Sequence, residues 1–158
     1  MRRFVILAIA VTGLLAFGAT TASAAANFKS QSFSVNNQGQ LVCSFDVSGL
    51  GNVSATLGSC TATSTADYQC INNGGKNPAA GNKRTVTGDV GETITVPVHN
   101  GRATANITVN PEGPGSFSCP SGQTLYLVGV CYSDITLTIG GATATEDQVC
   151  RSGLRIRQ

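Results

Sequence analysis

The chain has no tryptophan, a single histidine and few aromatic residues of any kind, 6% in all, so a folded core must be built mainly from small and aliphatic side chains. Each of these buries little area, so apolar burial per residue falls below the usual level and covalent support becomes valuable. With His99 alone and no Gly-x-Ser-x-Gly elbow, the sequence lacks the nucleophile, base and orienter of a serine hydrolase. It also lacks any C-x-x-C pair, which argues against the common zinc and dithiol redox arrangements. Helical periodicity is missing as well, and the one long apolar run, Phe4 to Phe17, is shorter than the about 20 residues of a membrane-spanning helix.

That run follows Arg2 and Arg3 and leads to Ala22-Ser23-Ala24, the order of a secretory signal peptide with a small-x-small cleavage site. Removing residues 1–24 leaves 134 residues, a common size for one domain, with eight Lys and Arg against eight Asp and Glu. The basic excess of the full chain therefore belongs to the leader, and no concentrated basic face for nucleic acid is expected. Residues 151–158, carrying Arg151, Arg155 and Arg157, read as a flexible basic tail.

What fills the mature chain is period-two alternation rich in Thr and Val and punctuated by Gly and Asn, which predicts an all-β domain over 25–158. Asn100-Gly101 carries the chemistry of a type I′ turn and predicts a hairpin in which Val98 faces Ala103, Val96 faces Ala105 and Ile94 faces Ile107. Pro97 cannot donate to a ladder, so that strand lies at a sheet edge or its ladder is broken there. From Gln123 to Asp134 both alternating sets are apolar or aromatic, the pattern of a central strand covered on both faces. Leu41, Cys43, Phe45 and Val47 point to one side of an earlier strand, and Gly140-Gly141 closes a later hairpin. Many short strands separated by turns favour a single immunoglobulin-like β-sandwich.

All six cysteines lie in the mature part, as expected for a disulfide framework in an oxidising compartment. Six cysteines allow fifteen pairings. A two-residue hairpin at Gly51-Asn52 would bring Cys43 opposite Cys60, and the hairpin at Gly140-Gly141 brings Cys131 opposite Cys150, leaving Cys70 and Cys119 for a long-range bridge. The first pairing requires a bulge at Gly58-Ser59, because Val53, Ala55 and Leu57 alternate out of phase with Cys60, Ala62 and Ala66.

Tyr68 sits two residues before Cys70, as in the tyrosine corner of immunoglobulin domains, although tryptophan is missing and the upstream cysteines are wrongly spaced for that family. A longer pattern runs over residues 65–137, through Tyr68-Gln69-Cys70-Ile71-Asn72-Asn73-Gly74-Gly75, Asn82-Lys83 and Phe117-Ser118-Cys119-Pro120-Ser121-Gly122-Gln123. It resembles a group of small secreted actinobacterial β-sandwich proteins with no established biochemical function. The resemblance implies a Cys70–Cys119 pair and transfers no site residues; Cys131 and Cys150 are not features of that group.

The best candidate for a binding surface is the loop around 72–84, with Asn72, Asn73, Lys76, Asn77, Lys83 and Arg84, beside a second loop at 111–118. These residues favour a secreted, non-enzymatic binding protein without metal or cofactor. The partner classes left open are an extracellular protein, a cell-envelope component and a small ligand. Rival readings are a surface protein that self-associates through a strand edge, a protease inhibitor presenting a braced loop, and a carrier of apolar ligands.

Overall fold

The computed structural model describes residues 25–72 and 82–158; the signal-peptide reading and residues Asn73, Lys76 and Asn77 lie outside them. Seven strands follow in order: β1 (Asn27–Val35), β2 (Leu41–Ser48), β3 (Ala55–Asn72), β4 (Lys83–Pro97), β5 (Arg102–Val109), β6 (Gln123–Ile139) and β7 (Ala142–Arg157). They form two antiparallel sheets, ordered β1-β2-β5 and β4-β3-β6-β7, packed face to face as an all-β sandwich. Strict alternation on β2 places Leu41, Cys43, Phe45 and Val47 in the core, as the sequence predicts.

The Asn100-Gly101 turn is present, with positive φ at both residues (52° and 71°), and His99 and Arg102 exchange backbone hydrogen bonds of 2.9 and 3.0 Å. The expected ladder beyond it is not. Val96 pairs with Thr56 and Ile94 with Gly58 in one sheet, while Ala105 pairs with Phe45 and Ile107 with Cys43 in the other. The turn is thus a corner between sheets. Its local chemistry fixes the reversal, but β4 and β5 each have one apolar side, and the two bury more by facing each other across the core than by sharing a ladder. Pro97 does end an edge strand.

A second expected hairpin is also replaced. β2 and β3 lie in different sheets, so Gly51-Asn52 belongs to a crossover, and Cys43–Cys60 ties the sheets together through the core with both residues fully buried. The pairing is as expected; the geometry that produces it is not. No bulge forms at Gly58-Ser59 against β4, since the register there is unbroken. Leu57 resolves the phase conflict by pointing outward, 66% exposed. Gly58 is required at its site, because a Cβ there would lie 2.6 Å from Ile139 Cδ1.

β6 is central but buries one face rather than two. Relative to β3, it carries an extra residue between the pairs Tyr68–Leu127 and Asp67–Gly129, and another between Thr63–Ser133 and Thr61–Thr136. Each bulge shifts the alternation by one. Leu127, then Val130 and Tyr132, then Ile135, Leu137 and Ile139 all reach the core as a result. The second shift coincides with Asp134, whose φ of 52° is positive. Cys131 and Cys150 are directly opposite on β6 and β7, with Cα atoms 4.1 Å apart. Residues 151–157, read as a tail, are instead the last part of β7, anchored by Leu154 in the core and by Arg151, which donates to Val35 O at 2.9 Å.

Tyr132 is fully buried, and its hydroxyl donates to Gly39 O at 2.8 Å, fastening the β1–β2 turn. Burial pushes this phenol well above the ordinary tyrosine value near 10. The stability it supports is therefore complete below about pH 10 and is lost as pH rises from there through the folded-state value. Urea midpoints measured from pH 8 to 12 are expected to fall above pH 10, and Tyr132→Phe to flatten that fall while costing about 1 kcal/mol at neutral pH. Closing a 17-residue separation, Cys43–Cys60 contributes about 3 kcal/mol in the loop-entropy account, and denaturation of C43A/C60A should show at least that loss.

Candidate functional site

β3 and β6 are 18 and 17 residues long, whereas β2 and β5 have eight each. At about 3.3 Å per residue the four-stranded sheet runs well past its partner, so one end of its inner face needs another cover. The connection from Asn110 to Gly122 provides it. Inner positions on that part of β3 are small (Ala62, Ser64, Ala66), which lets the segment approach closely. Ser64 is fully buried and its Oγ accepts from Glu112 N at 3.1 Å; Tyr68 donates its hydroxyl to Glu112 O at 2.6 Å. The Glu112 side chain lies over Gly88 of β4, where a Cβ would meet its carboxylate at 2.7 Å. Cys70–Cys119 closes the far end of the same segment.

Tyr68 therefore has the function of a tie but not the geometry of a tyrosine corner, since its acceptor is 44 residues downstream rather than a few residues upstream. Burial, and secondarily the Glu112 carboxylate, raise its phenol above the ordinary tyrosine range.

Both stems of the connection around 72–84 stand on this braced end. Asn72 pairs in register with Gln123, and Asn82 Nδ2 donates to Gln123 Oε1 at 3.1 Å. Lys83 and Arg84 follow at the start of β4, both exposed and, by strand alternation, on opposite faces. Of the six residues named from the sequence, the structure thus brings Asn72, Lys83 and Arg84 to one end of the sandwich. The second predicted loop, 111–118, belongs to the same end, joined to β3 through Cys70–Cys119.

Sheet register adds residues that the sequence reading missed. Lys83, Gln69, Tyr126 and Arg157 form one row across β4, β3, β6 and β7. With strands about 4.8 Å apart, Lys83 and Arg157 flank Gln69 and Tyr126 across about 14 Å. The Arg155 guanidinium lies 6.0 Å from the Tyr126 ring centroid, within cation–π range. A shallow depression of about 310 Å³ adjoins this row, lined by Asp67, Gln69, Lys83, Thr85, Gly129 and Ser152, with Thr85 Oγ1 donating to Asp67 Oδ1 at 2.6 Å. The only sequence signal for Arg155 and Arg157 was their charge, which the expected tail placement set aside.

His99 is exposed beside its turn, and no carboxylate is paired with it among the described residues. Among those residues, no group of three or more His, Cys, Asp or Glu is placed to hold a metal ion. Comparison with known proteins finds no matching protein family, curated protein or solved structure.

Tyr68→Phe deletes the tie to Glu112 while keeping the ring. Global stability should drop by about 1 kcal/mol, and cleavage within 111–118 by an added protease should accelerate much more than that change alone requires. Equal protection of this segment in both proteins would show that Cys70–Cys119 and Ser64 hold it without the phenol.

Proposed function

We propose that the protein is a secreted, non-enzymatic binding module whose working surface is the end of the sandwich carrying the 72–84 and 111–118 connections, and that its ligand is anionic. The observation that carries this reading is the row Lys83–Gln69–Tyr126–Arg157 with Arg155 against it. Three cations and an aromatic ring share one face and one end of a domain whose charges balance only when taken as a whole. The patch is a local basic excess, three cations against the single Asp67 carboxylate of the adjoining depression, and such an excess on a rigid support attracts and orients an opposite charge better than the same residues scattered over the surface. The stems beside the row are fixed by a disulfide and three side-chain hydrogen bonds, so little ordering remains to be done when a ligand arrives.

Export is supported by the N-terminal sequence and by three disulfides, which persist in oxidising compartments. An immunoglobulin-like assignment is supported by the strand order. Lettered A to G, the sheets read A-B-E and D-C-F-G, which is the constant-domain arrangement with the fourth strand moved from beside the fifth to beside the third. Such scaffolds carry binding surfaces at their ends, but the scaffold alone names no ligand.

Retention of the disulfide-bonded protein on a sulfated-polysaccharide resin, eluted with salt, tests the reading. K83A/R157A should elute at clearly lower salt than the wild type, whereas K29A, on β1 of the other sheet, should not move. Flow-through of the wild type at low salt, or an equal effect of K29A, would remove the basis for an anionic ligand.

A further inference from the structure

β4 is an edge strand with a regular ladder on one side: its pairing with β3 keeps a single register from Lys83–Gln69 to Pro97–Ala55. One step beyond, Val98 N donates to Ser54 O at 2.9 Å, so 98 and 54 form a hydrogen-bonded pair. Hydrogen-bonded and non-hydrogen-bonded pairs alternate along an antiparallel ladder. Even-numbered residues of β4 therefore direct their backbone groups to β3, and odd-numbered residues direct theirs outward. Pro97 falls at an outward position, where its missing N–H costs no ladder bond. Thr85, Thr87, Asp89, Gly91, Thr93 and Thr95 present free N–H and C=O groups, and among the described residues no group of the chain bonds to them.

The order of residues along this edge is a pseudo-palindrome about Val90: Thr85-Val86-Thr87-Gly88-Asp89-Val90-Gly91-Glu92-Thr93-Ile94-Thr95. We infer that β4 is a self-complementary docking edge and that its partner is β4 of a second copy, paired antiparallel about a two-fold axis through Val90. In that register Thr87 stands opposite Thr93 of the second copy, Thr85 opposite Thr95, and Val86 opposite Ile94. Asp89 faces Gly91, and Glu92 faces Gly88, so each acidic residue meets a glycine.

Three constraints select this register. The outward backbone groups belong to odd residues, so only registers pairing odd with odd residues form a ladder, and this is one of them. Sliding one copy by two residues in one direction puts Asp89 opposite Asp89, a like-charge pair that destabilises an antiparallel ladder. Sliding it the other way keeps Thr87 opposite Thr95 and Val86 opposite Val96, but it sets the apolar Val90 against the Glu92 carboxylate and Ile94 against Gly88. The Asp89 carboxylate is also drawn from the seam toward β3, where it accepts from Thr63 Oγ1 at 2.9 Å. Glu112, whose carboxylate lies over Gly88, is the one like-charged group set near Glu92 of the second copy.

The other edge of this sheet is poorly suited. β7 has a register break opposite Leu127–Gly129 and a positive φ at Gly153, and bulges of that kind are what natural sheets use to block strand addition. β4 has Lys83 and Arg84 at one end and Pro97 at the other as blocking residues, with Asp89 and Glu92 the only charges in the stretch of about 35 Å between them. Pairing there would join two four-stranded sheets into one of eight strands. The two basic ends would then lie at opposite poles, an arrangement suited to bridging two ligands rather than gripping one surface twice. A single seam buries less than a standard interface, so association is weak and follows concentration.

Sedimentation equilibrium of the mature, disulfide-bonded chain should show a monomer–dimer equilibrium. T87K/T93K sets lysines directly opposite one another in both halves of the seam and should weaken association at least tenfold. T87K/T93E sets each lysine opposite a glutamate and should restore it to within about threefold of wild type. The two positions lie about 20 Å apart within one strand, so the substituted residues do not pair with each other inside the monomer. A wild type that stays monomeric to millimolar concentration, or equal association by the two double variants, would overturn the proposal. Should either variant misfold, amide exchange of the wild type decides the matter. Residues 87, 89, 91 and 93 must gain protection with concentration while β7 does not; unchanged exchange, or gain at β7, overturns it.

Discussion

The structure depends on a length mismatch between its two sheets. A four-stranded sheet with strands of 15 to 18 residues packs on a three-stranded sheet whose members have eight or nine, so half of the longer inner face cannot be covered by strands. Apolar surface left in water there would forfeit the main favourable term of folding. The Asn110–Gly122 segment covers it, and a covering segment without secondary structure must have its polar backbone satisfied from the sheet beneath. Ser64 and Tyr68, on the inner face of β3, meet that need at the N–H and C=O of Glu112, and Cys70 on the same face ties the far end of the segment covalently.

The same mismatch explains the composition. A core without tryptophan still reaches close packing because small residues on β3 let the cover approach, while Tyr68 and Tyr132 supply the largest buried volumes and use their hydroxyls to fasten turns and loops. Tight turns and two bulges in β6 bring residues of both phases to one face. Cys43–Cys60 then links the sheets where they do overlap, and Cys70–Cys119 fixes the end where they do not.

Function, on this account, follows from which surfaces the mismatch leaves available. The overhanging end gathers Lys83, Arg155 and Arg157 around Tyr126, and the sheet order leaves β4 as an edge strand. Among the described residues one ion pair forms elsewhere: the Arg102 guanidinium holds the Asp46 carboxyl below the usual range, and that carboxylate accepts from Arg102 Nε at 2.6 Å. An isolated exposed pair of this kind contributes little to stability and offers no net charge to a ligand.

The sequence by itself determined the strand content, the alternation of β2, the turns at Asn100-Gly101 and Gly140-Gly141, and the edge position implied by Pro97, because each is a property of a few adjacent residues. It also held the three disulfide pairings, two of them through turn arithmetic that the fold honours only at Cys131–Cys150. Only the tertiary structure decided that β4 and β5 part into different sheets, that Cys43–Cys60 crosses the core, and that the final arginines are strand rather than tail. It alone set Lys83 beside Arg157. Those outcomes turn on which distant strand a segment meets and in which register, and that choice is made by burying every apolar face at once, a condition that no local window of sequence contains.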